Sequence, residues 1–152
     1  MKDFSIKEEL YNQCLAFIDN RLITVQNTMH DIQKSLLSET KSSAGDKHET
    51  GRAMLQLERE KAGNQLAQIK KVKETLSRID VEKSSKVIGL GSVVFTTQTN
   101  YFIAISAGEI IIDEVLFYAI SPSTPIAKLV LSKQSGDAVA FRDRKFTITG
   151  VL

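Results

Sequence analysis

The chain of 152 residues has little of what builds disulfides, zinc sites or membrane spans. Cys14 is its only cysteine, so no internal disulfide can form. Its two histidines, His30 and His48, have no cysteine or second histidine at metal-ligand spacing, which argues against a zinc site. No run of about 18 uncharged apolar residues occurs, so we expect no transmembrane segment. The first residues show no apolar region behind a basic start, so we expect no secretory signal and a cytoplasmic protein.

The chain also has almost no excess of positive over negative charge. The formal charge is +2, which does not by itself indicate a nucleic-acid-binding protein, and any basic surface must be local. A hydrophobic content of 42% and a charged content of 25% are typical of globular proteins. Cys14 falls within an apolar helical pattern, so we interpret it as a buried, unreactive thiol.

Two heptad patterns occupy the first half of the chain. In the first, apolar residues follow alternating steps of 4 and 3 residues: Tyr11, Leu15, Ile18, Leu22, Val25, Met29, Ile32 and Leu36. The second has the same spacing but contains two polar positions: Leu55, Glu58, Ala62, Gln65, Ile69, Val72, Leu76 and Ile79. Leu57 and Leu66 are expected to broaden this second stripe. Both patterns predict long α-helices.

Both patterns end at the same polar, glycine-containing segment, 38–51. A short connection between helices of similar length favours an antiparallel hairpin within one chain, and hence a monomer. Some 30 residues at 1.5 Å each would make a rod of roughly 45 Å. The alternative is a coiled coil that dimerises and serves as a scaffold or chaperone. We therefore predict a helical hairpin over residues 1–80, with an acidic tip at 38–51.

The period changes after residue 80. The polar segment 81–86 predicts a linker, and residues 87–152 predict a small β domain. Short β-branched and aromatic runs separated by Gly, Asn, Asp and Ser predict its strands: 87–88 with 93–95, 101–105, 115–120, 139–141 and 146–149. Gly89-Leu90-Gly91 lacks the third glycine and following helix of a phosphate-binding loop, so we interpret it as a bend entering a strand.

One short helix is expected inside the β domain. Thr124 before Pro125 has the pattern of a helix N-cap followed by proline at the first helical position, and we expect this helix to end near Gly136. Residues 142–145 are expected to turn the last hairpin. The predicted fold class is therefore α+β: an antiparallel helical hairpin followed by a mostly antiparallel β domain with one short helix.

Two carboxylates, Asp46 and Glu49, lie in the polar segment between the heptad patterns. At the tip of a hairpin they would be remote from any core. Asp-x-x-Glu at a helix start is the pattern of a capping box, and both acids would favour the positive end of the helix dipole. Lone carboxylates bind Mg²⁺ weakly because the ion prefers six oxygens. A metal role therefore requires a partner that supplies further ligands, and both interpretations remain open here.

Two segments resemble the Gre family of bacterial transcript-cleavage factors. Gly45-Asp46-Lys47-His48-Glu49 is similar to the family's tip pattern Gly-Asp-x-x-Glu. Residues 120–129 and 133–139 are similar to its signature Ile-Ser-x-x-Ser-Pro-Ile-Ala-x-x-Leu and Lys-x-x-Gly-Asp-x-Val, with Thr124 where serine is usual. The likeness covers most of the chain in order, and the second signature is the more specific.

The resemblance implies an FKBP-like β domain that docks on bacterial RNA polymerase through Ser121, Pro122 and Pro125, while the hairpin enters the secondary channel. Asp46 and Glu49 would help hold a second Mg²⁺, shared with the polymerase, and its attacking water. Backtracked nascent RNA would then be cut at its 3′ end and elongation would resume. The chain would stimulate the polymerase's nuclease activity and would not be an enzyme itself. Four basic residues are candidates for contact with RNA or with phosphates in the channel: Lys41, Lys47, Arg52 and Arg59. The alternative is that they are ordinary solvent-exposed charges.

The chain departs from the family in one stretch. Where the family has Asn-Ala-Glu-Tyr after the tip acid, this chain has Thr50-Gly51-Arg52-Ala53. Leu57 stands where the family has an arginine. A relative that binds the channel without stimulating cleavage is therefore the main alternative function. A prolyl isomerase is disfavoured, because the β domain has no tryptophan and few aromatics to line a proline pocket.

Overall fold

The computed structural model describes residues 3–41 and 45–152, without the side chains of residues 3–4, 39–41 and 45–48. Two long helices come first, α1 (Asp3–Lys41) and α2 (Gly45–Ser77). The strands and the short helix follow in the order β1 (Val93–Thr96), β2 (Asn100–Ile103), β3 (Gly108–Ile112), β4 (Val115–Ile120), α3 (Pro125–Val130), β5 (Ala138–Phe141) and β6 (Arg144–Val151). The α+β class expected from the sequence is confirmed.

The chain divides into two compact units. One consists of Ile18–Val72 and holds most of both long helices, and the other consists of Met1–Phe17 with Lys73–Leu152. The domain boundaries expected near residues 80 and 87 stay a prediction. Over the described residues, no helix has a stretch long and apolar enough to cross a membrane.

Within Ile18–Val72 the two helices pack along the predicted heptad positions. Ile32, Leu36 and Ala62 form a buried cluster, against which Met29 and Leu55 pack. Leu36, near the end of α1, accepts a hydrogen bond from Arg52 near the start of α2, whereas Ile18 in α1 lines a cavity with Ile69 and Val72 of the later part of α2. The two helices are therefore antiparallel, as expected. Burial of apolar side chains between the helices supplies most of their stability, since propensity alone contributes little.

The second heptad pattern is less continuous than the sequence suggested. Glu58 and Gln65 occupy heptad positions but are exposed. Leu57 does not broaden the stripe, because its side chain is 67% exposed. At about 100° per residue it lies roughly 200° from Leu55, on the opposite side of α2.

The six strands form one sheet in the order β3-β4-β2-β1-β6-β5. Neighbouring strands are antiparallel except for β2 and β4, which are parallel with Phe102 opposite Ala119. The sequence patterns missed β3, which pairs with β4 through Ile111 and Leu116. They also wrongly placed a strand at 87–88. Ile88 instead exchanges backbone hydrogen bonds with the loop after α3, donating to Lys133 O at 2.9 Å.

The helix expected after Thr124 is confirmed as α3. It ends at Val130, well before Gly136, because Leu131 leaves the helical region with ψ 137° while its N–H still bonds to Ala127 O. The turn of the last hairpin, expected at residues 142–145, is confirmed at Arg142 and Asp143, but Arg144 and Lys145 already belong to β6.

Two groups of buried side chains stabilise the unit that contains the sheet. The first is a core beneath α3 and comprises Ile88, Val94, Ile103, Ala127, Val130, Val139, Phe146 and Ile148. The second comprises three fully buried residues of the two long helices: Leu10, Cys14 and Leu76. Burial raises the pKa of the Cys14 thiol to about 12, which confirms the expectation of a buried residue and leaves little reactive thiolate at neutral pH.

Candidate functional site

The structure places the tip acids at the beginning of α2. The helix begins at Gly45, so Asp46 is its second residue and Glu49 its fifth. Residues three apart on a helix are neighbours on one face, so positions 46 and 49 lie one above the other. The side chain of Glu49 is exposed. The side chain of Asp46 lies outside the described residues, so the capping interpretation and the ligand interpretation of it both stay predictions.

Of the four cations proposed for RNA or channel contact, two have described side chains. Arg59 is exposed on α2. Arg52 is half-buried, and its guanidinium donates a hydrogen bond to Leu36 O at 3.4 Å, so it links α2 back to the last turns of α1. Lys41 and Lys47 have side chains outside the described set. The contact of these four residues with nucleic acid stays a prediction.

The donor chemistry at the tip suits Mg²⁺ only in part. Carboxylate oxygens are the ligands that this ion prefers, but two acids leave most of six positions to water or to other groups. Among the side chains that the structure describes, no group of three or more His, Cys, Asp or Glu residues converges as a metal site. Glu49, together with Asp46, would therefore hold the ion only where a partner contributes further ligands.

The proposed docking residues lie together in the loop between β4 and α3. Residues 121–124 form a turn in which the Thr124 N–H donates to Ser121 O at 3.1 Å. The Thr124 hydroxyl also donates to Ser121 O at 2.9 Å and accepts from the Ala127 N–H at 3.4 Å, so it caps α3. Pro125 is the first residue of the helix, where its missing N–H costs nothing, and it is exposed. Ser121 and Pro122 are partly exposed.

Two serines that the sequence patterns did not single out position this loop. The Ser106 hydroxyl accepts a hydrogen bond from the Ser121 N–H at 3.2 Å. The hydroxyls of Ser121 and Ser123 lie 2.8 Å apart and share a hydrogen bond. Ser123 lies within the motif at residues 120–129, two residues from Ser121, so the sequence alone could have suggested this contact. It could not have suggested Ser106, because the contact of that residue with Ser121 depends on the pairing of β2 with β4.

The second half of the C-terminal signature, residues 133–139, has a structural role. The Asp137 carboxylate accepts from the Gln134 N–H at 2.8 Å, and Gly136 adopts φ 96°, a conformation that favours glycine. Gly136 and Asp137 then join the sheet by bonds to Ile148, and Val139 is buried in the core. This part of the resemblance therefore reports on how the chain folds, and partner contact through the loop at 121–125 or through the tip stays a prediction.

No protein-family model matches the chain, and no curated protein matches it. A solved structure described as "Structure of the transcription factor Gfh1" is 21% identical, with coverage of 88% of this chain and 90% of that one and a TM-score of 0.36. A TM-score of this size does not establish a common fold, so the likeness carries no conclusion about family or function.

Proposed function

We propose that this chain is a Gre-type transcription elongation factor that binds bacterial RNA polymerase and stimulates cleavage of backtracked RNA. The observation that carries the proposal is the placement of the acidic motif. An antiparallel hairpin presents Glu49 exposed in the first turns of α2, next to the connection between the helices. The portion of the hairpin within Ile18–Val72 would extend roughly 35 Å, which is long enough to carry a small charged tip into a narrow channel.

In this proposal the chain's own residues supply and position negative oxygens. Asp46 and Glu49 would provide carboxylate ligands to a Mg²⁺ ion shared with the polymerase. When bound, that ion would lower the pKa of the attacking water and stabilise negative charge on the scissile phosphate. Packing of Leu36 and Leu55, with the bond from Arg52 to Leu36 O, would limit movement of the helix that carries the acids.

Docking is proposed to occur through the loop that contains Ser121, Pro122 and Pro125. The turn bonds of Thr124 fix its backbone, so little conformational entropy would be lost on binding. Cation contacts by Lys41, Lys47, Arg52 and Arg59 would add attraction to RNA or to channel phosphates. The chain would act as a monomer and would have no nuclease activity of its own.

The test is a transcript-cleavage assay on stalled elongation complexes of bacterial RNA polymerase. We expect the wild-type chain to accelerate removal of the RNA 3′ end in the presence of Mg²⁺. Glu49→Gln and Asp46→Asn should each reduce this rate by about 10²-fold, since charge stabilisation by such ligands is worth several kcal/mol. The matched control is Glu60→Gln, which neutralises an exposed acid of α2 three turns from Glu49 and should leave the rate unchanged.

Melting and polymerase binding of each variant would be measured in parallel. Loss of cleavage with unchanged melting would support a ligand role, whereas a lower melting temperature with normal cleavage would restore the capping interpretation of Asp46. Polymerase binding without cleavage by the wild-type chain would contradict the cleavage proposal and identify the alternative, a non-cleaving regulator of the secondary channel.

A further inference from the structure

A small cavity in the unit formed by Met1–Phe17 and Lys73–Leu152 is rich in positive charge and hydroxyl groups. Its volume is about 280 Å³. The residues that line it are Lys7, Arg78, Asp80, Lys83, Ser84, Ser85, Leu90 and Ser92. The lining has three cations and one carboxylate, and one of the cations, Arg78, is paired with Glu74 at 2.9 Å. The three cations with Asp80 and Glu74 still carry a net positive charge. None of these residues belongs to the hairpin tip or to the loop at 121–125, so the proposed function does not use them.

The buried member of the cationic set is Lys7, on the first turns of α1. Only 5% of this residue is exposed. Its ammonium group donates to Lys83 O at 2.6 Å and, at the long distance of 3.5 Å, to Leu152 O. An ammonium has three donors, so these two carbonyls do not use its full capacity. A buried cation is costly unless it is paired, and its short bond is to the neutral carbonyl of Lys83.

The burial of Lys7 and its neighbouring charges affect the pKa of its ammonium group. Burial lowers its pKa, and the negative charge of Asp80 opposes part of that effect. The Asp80 carboxylate is itself engaged, since its Oδ1 accepts from the Glu82 N–H at 3.0 Å. A second negative group close to Lys7 would offset its desolvation further.

Two of the serine hydroxyls that line the cavity accept hydrogen bonds from the backbone. Ser92 is 4% exposed, and its Oγ accepts from the Gly89 N–H at 3.0 Å. The Ser85 Oγ accepts from the Val87 N–H at 3.2 Å. Because each hydroxyl is already an acceptor, its own proton remains for donation. Lys83 and Ser84 are exposed and would add donors from the solvent side.

We propose that this cavity binds a phosphate group, either as inorganic phosphate or as a small phosphate monoester. Donors from ammonium, guanidinium and hydroxyl groups match the oxygens of a tetrahedral dianion, and charge-assisted bonds of this kind are the strong ones. A cavity of 280 Å³ is larger than one phosphate and slightly smaller than typical sites for drug-sized ligands, which favours a small ester.

The experiment is an NMR titration of the full chain with inorganic phosphate at constant ionic strength. We expect saturable shifts of the amide signals of Lys83, Ser84 and Ser92. Lys83→Gln, an exposed position whose replacement should not impair folding, should weaken binding about tenfold, as should Arg78→Gln. The matched control is Lys86→Gln, which removes the same charge from an exposed residue outside the lining and should leave the affinity unchanged.

A second signal distinguishes binding from general charge effects. Bound phosphate should raise the pKa of Lys7, measured from the Lys7 Cε shift during a pH titration. Adenosine monophosphate is the second ligand to be titrated. If the cavity binds monoesters, this ligand should bind with the same dependence on Lys83 and should also shift the signal of Leu90. If the cavity binds only inorganic phosphate, adenosine monophosphate should not bind. Absence of saturation, or equal weakening by Lys83→Gln and Lys86→Gln, would overturn the proposal.

Discussion

At the scale of single residues, Gly91 is the position where glycine is most strictly required. Its φ is 89°, and a Cβ placed on it would lie 3.0 Å from Cγ2 of Ile79, which is buried. Gly91→Ala should lower the free energy of unfolding by about 1–3 kcal/mol, from left-handed strain and overpacking together. Urea unfolding at unchanged m-value measures this difference.

Gly89 is a matched control for that substitution. It lies two residues earlier, its φ is outside the left-handed region, and an added Cβ would meet nothing within 4 Å. Gly89→Ala should therefore change the free energy of unfolding by no more than about 0.5 kcal/mol. Equal effects of the two substitutions would contradict the assignment of strain to Gly91.

The lowered pKa of Lys7 implies a specific pH dependence of the free energy of unfolding. Its folded pKa lies below the ordinary value of 10.5, so the unfolded chain binds more protons between the two values. Stability conferred by this position should therefore rise with pH across the window from the lowered pKa up to 10.5. The charged groups that face it are Asp80 and, across the cavity, Arg78 and Lys83.

The comparison with Lys7→Met isolates that contribution, because all other titrating groups are common to both chains. The difference in unfolding free energy, wild type minus variant, should increase as the pH is raised from neutral toward 10.5. A difference that stayed constant or fell with pH would show that the ammonium is not desolvated in the folded state.

At the scale of elements, the N-terminus of α3 depends on one hydroxyl. Thr124 donates to Ser121 O and accepts from the Ala127 N–H, satisfying a group that the helix leaves unpaired. Thr124→Ala should cost about 1 kcal/mol, and Thr124→Ser should restore most of it, since serine keeps the oxygen. Chemical denaturation of the three chains provides the measurement.

The neighbouring Ser123 provides the control for this cap. Ser123 is exposed, and its hydroxyl shares a hydrogen bond with the Ser121 hydroxyl at 2.8 Å. Ser123→Ala should therefore change stability by less than about 0.5 kcal/mol. A loss at Ser123 as large as at Thr124 would indicate that the turn as a whole, and not the cap, limits the stability of α3.

The elements that could be predicted from sequence are those with local signals. Alternating steps of 3 and 4 predict a helix without knowledge of what it packs against, and Thr124 with Pro125 marks a helix start by itself. The same pattern could not show that Glu58 and Gln65 stay exposed within the heptad of α2. The heptad spacing gives the direction in which a side chain projects from the helix. It does not give the distance to the opposing helix at that position.

β3 was missed for two physical reasons. Its isoleucines do not alternate with polar residues, since Ile111 points to solvent and is 64% exposed while Ile110 and Ile112 are buried. Its turn into β4 places Asp113 and Glu114 at φ 50° and 67°, although such turns favour Asn-Gly. The usual sequence signals of strand and turn are thus both absent, and the parallel pairing of β2 with β4 has no local signal at all.

The candidate site divides in the same way. The helix start at Thr124 and Pro125 is confirmed because the N-cap and proline positions define it locally, whereas docking through residues 121–125 stays a prediction. The support of this loop by Ser106 came only from the sheet. At the hairpin tip, the sequence proposed Asp46 and Glu49 from a motif of two acids, and the structure adds the exposure of Glu49 and the half-buried position of Arg52.

At the scale of the whole molecule, the two units should differ in local stability. Among the described residues of Ile18–Val72, the buried apolar side chains are Ile18, Ile32, Leu36, Ala62 and Ile69, whereas the remaining buried apolar residues belong to the unit with the sheet. Few buried contacts imply openings of lower free energy. Native-state hydrogen exchange should therefore show weaker protection at Ile32 and Ile69 than at Phe102 and Ile148.

Ala62→Gly tests whether that opening is confined to the hairpin. Ala62 is buried against α1, so glycine should lower the opening free energy of amides in Ile18–Val72 by about 1 kcal/mol or more, through backbone entropy and the lost methyl group. Protection of Ile148, which reports on the sheet, should stay unchanged, because with independent opening the free energy needed to open the sheet does not include that of opening the hairpin. Equal loss of protection at Ile69 and Ile148 would contradict independent opening and show that the two units unfold in one cooperative step.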